Sequence, residues 1–73
     1  PSTTIRYDVP KMSKVSLKVY DILGQEVLTL VDQERAAGKY AVELRANELP
    51  SGVYYFRLHA GDFSDVKKLL LMK

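Results

Sequence analysis

His59 is the one histidine of the sequence, and no cysteine accompanies it. A nucleophile-base-acid triad or a histidine zinc site needs partners that are absent, so His59 reads as an ordinary residue at a strand end. Asp8, Asp21, Asp32, Asp62 and Asp65 offer oxygens to a hard cation. They never fall into the Asp-x-Asp-x-Asp-Gly spacing of a calcium loop, and turn chemistry accounts for most of them. Tyr54, Tyr55 and Phe56 are the only run of aromatics. Laid flat, such a run stacks on sugars; in a small domain it more often supplies core area. Lys67, Lys68 and Lys73 bracket the apolar Leu69, Leu70, Leu71 and Met72, as solvated lysines do when they guard an edge strand. With no activated nucleophile and no cleft of paired carboxylates in view, no catalytic, cofactor or metal residue is assigned, and an enzyme is not expected.

The elements that carry these residues must come from a short chain. Seventy-three residues support one core, so residues 1–73 form a single domain. A 47% hydrophobic, 27% charged composition is too apolar for a disordered tail. No apolar run approaches the roughly 20 residues of a membrane-spanning helix. The net charge of +2 is spread along the chain and lacks the clustering of a nucleic-acid binder. Without cysteine the domain must hold by packing alone, and its redox compartment stays open. The opening residue is Pro1 and no leader precedes the first strand, so the chain is expected to be a piece of something longer.

Alternation with a period of two dominates. Ile5, Tyr7 and Val9 oppose Thr4, Arg6 and Asp8 in a first strand over Thr3 to Val9, which Pro10 ends. Val15, Leu17 and Val19 do the same in a second, Lys14 to Tyr20. Asp21 to Gly24 reads as a hairpin turn. Gln25 to Val31 is apolar on both parities and is taken as a strand; Asp32 to Gly38, polar and alanine-rich, reads as a short helical turn. Lys39 to Arg45 alternates again, Asn47 to Gly52 is a loop, and Val53 to Leu58 is a strand expected to be central enough to have both faces partly covered. A turn at Ala60 to Asp62 leads into a last strand, Phe63 to Met72, whose parity is ambiguous.

Short strands at spacings of about 8–12 residues, without a helical period, predict an all-β fold: a small antiparallel immunoglobulin-like β-sandwich of about seven strands. The Cys-Trp-Cys core of antibody domains is missing, so periodicity gives the architecture and not the topology. Ile5, Val15, Leu17, Val19, Tyr40, Val42, Leu44, Phe56 and Leu58 are the expected core. Gly24, Gly38, Gly52 and Gly61 are expected in turns, at least two of them at positive φ.

Five segments in order then resemble one family: Pro-Ser-Thr-Thr-Ile at 1 to 5, Lys-Val-Tyr-Asp-Ile-Leu-Gly-Gln-Glu-Val at 18 to 27, Ala-Ala-Gly-Lys-Tyr at 36 to 40, Leu-Pro-Ser-Gly-Val-Tyr-Tyr-Phe-Arg-Leu at 49 to 58, and Lys-Lys-Leu-Leu-Leu-Met-Lys at 67 to 73. Together they resemble the C-terminal sorting domain of the bacterial type IX (Por) secretion system. The resemblance implies an immunoglobulin-like sandwich behind a larger secreted cargo, often a hydrolase or adhesin. It implies an outer-membrane translocon as reader, a sortase-like peptidase that removes the domain after export, and a destination outside a Gram-negative cell or on its surface, reached through the periplasm. It gives the stretch Lys67, Lys68, Leu69, Leu70, Leu71, Met72, Lys73 a second reading, as the element the translocon recognises through its strand edge or the terminal carboxylate. One departure stands out: of the Asn-Pro-x-Asn-Pro run that usually opens the family, only Pro1 is present. The linker and any cleavage site are therefore expected upstream. The competing expectation is an accessory adhesive or carbohydrate-binding sandwich of a secreted hydrolase.

Overall fold

The computed structural model describes residues 2–45 and 49–72. Six strands follow one another: β1 (Ser2–Val9), β2 (Ser13–Tyr20), β3 (Glu26–Arg35), β4 (Gly38–Arg45), β5 (Gly52–Ala60) and β6 (Phe63–Leu71). They form two antiparallel sheets, β1-β4 and β3-β2-β5-β6. The sandwich is all-β as expected, but it has six strands and not about seven. β3 runs further than the sequence suggests, to Arg35.

That lengthening corrects the helical turn expected over Asp32 to Gly38. Asp32 to Arg35 continue β3, pairing with Ser16 to Ser13 of β2. Their polarity reflects an exposed face and not a helix: Lys14 Nζ reaches Asp32 Oδ1 at 3.4 Å across the strands. The apolar residues of both parities in β3 also find their cause. Its register against β2 slips between Leu17 and Lys18 and again between Val19 and Tyr20. Each slip is a bulge that adds one residue on β3, so Leu28, Leu30 and Val31 all turn inward.

The core is split into two clusters. Ile5, Tyr7, Val9, Val15, Leu17, Val31, Leu58 and Ala60 form the first; Val19, Leu44, Leu49, Tyr54 and Leu71 form the second. Leu30 and Phe56 pack against both. Of the expected core, Tyr40, Val42 and Phe56 are only half-buried: Tyr40 and Val42 sit on β4, paired on one side only, and Phe56 lies on the four-stranded sheet, which is wider than the two strands facing it. β5 is a central strand as expected, but the cover on its outer face is slight. Tyr55 points away from the core and is 39% exposed.

Two connections between the layers share one device. Tyr40 Oη donates to the Ala36 carbonyl at 2.7 Å, and Tyr54 Oη donates to the Pro50 carbonyl at 2.7 Å. In each, the ring lies over the glycine two residues earlier: a Cβ on Gly38 would meet the Tyr40 ring at 3.8 Å, and one on Gly52 the Tyr54 ring at 4.0 Å. The hydroxyl thus satisfies a carbonyl that no ladder reaches, as in the tyrosine corner of immunoglobulin-like sandwiches. Gly38 and Gly52 are the first residues of strands and not turn residues as expected. Tyr40 also stacks on Tyr7 at 5.5 Å and lies under the Arg35 guanidinium at 5.1 Å.

The hairpin turns do follow the sequence. Asp21 Oδ1 accepts from the N–H groups of Leu23 and Gln25, and Gly24 takes φ 85°. At the β5-β6 turn Gly61 has φ 61°, and a Cβ there would meet Ser13 Cβ at 3.3 Å. Both conformation and space require glycine. The Asn47 and Glu48 part of the expected 47–52 loop lies outside the described residues. Register places Ser2 beside Arg45 and Leu71 beside Gly52, so β1 begins and β6 ends at one pole of the sandwich, where the Asp21–Gly24 turn also lies.

Candidate functional site: the β6 edge

β6 is paired on one side only, with β5, and forms an edge of the larger sheet. Its antiparallel register with β5 settles the parity left ambiguous by the sequence. Leu69 sits opposite Tyr54 and Leu71 opposite Gly52, on the core side; Lys68 faces Tyr55 and Leu70 faces Val53, on the outer side.

The stretch from Lys67 to Met72 therefore divides into two sets of side chains. Leu71 is buried and Leu69 half-buried against the second core cluster, so these two pin the strand to the body. Lys67, Lys68, Leu70 and Met72 are presented to solvent, Leu70 at 61% and Met72 at 68% exposure. Neither lysine has an ion-pair partner among the described residues, whereas Lys14 and Lys18 are held by Asp32 and Glu26 on the opposite edge strand. Lys73 and its carboxylate lie outside the described residues.

Further along, the core side of β6 is open as well. Phe63, Asp65 and Lys67 point inward by register yet remain exposed, because β1 stops short of covering them. Together with Arg6, Tyr7 and Asp8 of β1 they line a groove of about 270 Å³. Sequence reasoning missed the role of Phe63 and Asp65. Carrying the clean alternation of β2 across β5 to β6, from Leu17 to Leu58 to Asp65, would have placed them on the core side. At the shared pole, Ile22 and Leu23 stand out at 70% and 81% exposure on the tip of a hydrogen-bonded turn. Their apolar character alone gave no hint of that.

The remaining chemistry-bearing residues are not brought together. His59 lies on the outer face with Ser16 and Ser64 as cross-strand neighbours, and no side-chain hydrogen bond joins the three. Among the described residues no group of histidine, aspartate and glutamate side chains could hold a metal ion. The aromatic run is no platform: Tyr54 is buried, Phe56 half-buried, and Tyr55 alone faces outward. No described helix is long and apolar enough to cross a membrane.

β6 thus shares with β3 the role of edge strand of the larger sheet, but among the described residues its exposed lysines stand without the cross-strand ion pairs found between β2 and β3. No curated protein matches the sequence. A family profile does, the secretion system C-terminal sorting domain, over residues 2–72. That span takes in every strand of both sheets, the two tyrosine corners and the open β6 edge, and so the chain belongs to the type IX secretion system C-terminal sorting domain family.

Proposed function

We propose that this domain is a non-catalytic export address, carried behind a larger cargo and read by the outer-membrane translocon through β6. The observation that carries the reading is the unpaired edge of β6. Leu69 and Leu71 hold it in place while Lys67, Lys68, Leu70 and Met72 face solvent. An edge strand offers a reader a row of backbone donors and acceptors, and its side chains set the register. Transit through the periplasm of a Gram-negative cell, and removal of the domain by a sortase-like peptidase that attaches the cargo to the surface, follow from the same reading.

The test is export of a reporter. Residues 1–73, with their native upstream linker, are fused behind a periplasm-directed reporter in a host with a type IX system. The parent fusion is expected at the surface or in the medium, and deletion of Lys67 to Lys73 should leave it in the periplasm. Deletion also removes Leu71 from the core, so the decisive variants are Lys67→Ala, Lys68→Ala and Leu70→Ala. All three residues are exposed, and their melting should change little. If these stable variants, singly and combined, leave the periplasm as well as the parent does, β6 is not the signal. An accessory adhesive or sugar-binding role predicts instead a domain that lies internally or repeats within its precursor.

A further inference from the structure

The inward row of β6 places Asp65 opposite Leu58 and Lys67 opposite Phe56, on a stretch of the sheet edge whose core side is uncovered. A charge pointing inward from an edge strand repels most incoming strands, because the residue set against it is apolar or of like sign. It admits a strand that brings a carboxylate to Lys67 and an ammonium to Asp65. β6 is itself such a strand.

We propose that β6 pairs antiparallel with β6 of a second copy of this chain, in the register centred on Val66. Val66 then faces its own counterpart, Asp65 faces Lys67, Phe63 faces Leu69 and Ser64 faces Lys68 of the other copy. Apolar residues meet apolar ones and both inward charges are neutralised. Phe63 and Val66, now 45% and 54% exposed, gain cover.

The neighbouring registers fail on the same residues. Centred on Asp65, the pairing sets carboxylate against carboxylate. Centred on Lys67, it sets ammonium against ammonium and Asp65 against Leu69. A slip of a single residue opposes inward to outward side chains and turns the second sandwich over. The complementarity is thus specific to one alignment, and it is isologous, as a two-fold dimer requires. The inference is independent of export: it concerns the free domain, in which the dimer closes the β6 edge of both copies.

Sedimentation equilibrium of the 73-residue chain between about 10 µM and 1 mM reads the association, which is expected to be weak because one strand edge falls below the area of a standard interface. Asp65→Lys and Lys67→Asp should each weaken it by about tenfold or more, since each reversal sets like charges together twice across the two-fold. An equimolar mixture of the two variants should recover the association, because each then meets its complement, and so should the double variant Asp65→Lys/Lys67→Asp. Melting temperatures should stay close to the parent, as both residues are exposed. A chain that stays monomeric to about 1 mM overturns the proposal. So does loss on single reversal without recovery in the mixture. A dimer indifferent to all the reversals overturns it as well; exchange of β6 between copies gives that result, because an exchanged strand keeps its ordinary contacts with β5.

Discussion

Replacement of Leu17 by alanine is expected to remove about 2–5 kcal/mol of stability, measured by denaturant unfolding against the parent. Leu17 has 0% exposure and lies mid-strand between Val31 of β3 and Leu58 of β5, so the hole left behind is walled by backbone ladders on both sides. Such walls relax poorly, which puts the cost toward the upper end of the range. A domain of this length has in all about 4–11 kcal/mol to lose. The melting temperature should therefore drop by at least about 10 °C. A drop of a few degrees only would mean that the first cluster repacks and is not the rigid core described.

Tyr54→Ala is expected to be comparably damaging, about 3–5 kcal/mol, for a different reason. The ring belongs to the second cluster, lies over Gly52 and stands opposite Leu69, while its hydroxyl holds the Pro50 carbonyl. Tyr54→Phe separates these roles: it keeps the ring and removes the hydroxyl, at a cost of about 1 kcal/mol or somewhat more, because the abandoned carbonyl is partly buried. Tyr40→Phe should cost less, since the matching bond to Ala36 is exposed. Equal losses from the two Tyr→Phe changes would argue against the difference in burial as the cause. The readout is again equilibrium unfolding, with β6 reported separately by amide exchange at Leu69 and Leu71.

Which parts of this arrangement could be read from the sequence follows from how local their causes are. β1 and β2 were plain because one face of each is buried and the other wet, and alternation records that directly. The Asp21 to Gly24 turn was plain because a single carboxylate and a single glycine determine it. β3 was obscure, since a bulge shifts the period by one residue and erases alternation, and its polar end resembled a turn. The burial of Leu49 was invisible for a similar reason: it follows from the chain passing between the layers, which no window of neighbouring residues reports. Family resemblance singles out the terminal stretch as a unit. Its division into Leu69 and Leu71 as anchors and Lys67, Lys68 and Leu70 as presented groups required the pairing with β5. The tyrosine corners were legible in principle, as Ala-Ala-Gly-Lys-Tyr and Pro-Ser-Gly-Val-Tyr share a glycine two residues before the tyrosine.

The beginning of β1 and the end of β6 lie at the same pole, on different sheets. A pull applied between a load joined before Ser2 and a grip on the residues after Leu71 therefore does not run along the strands. It acts across one end of the sandwich and opens the terminal ladders like zippers, β5-β6 from Gly52 and Leu71 and β1-β4 from Ser2 and Arg45, one pair at a time. A ladder loaded along its length must break many hydrogen bonds at once; a ladder peeled from its end breaks them in turn and yields at lower force. Held by its two ends, the domain should be mechanically soft despite its packed core, with a terminal strand, β1 or β6, the first element to leave, and single-molecule pulling on those ends would register that as an early, low-force step.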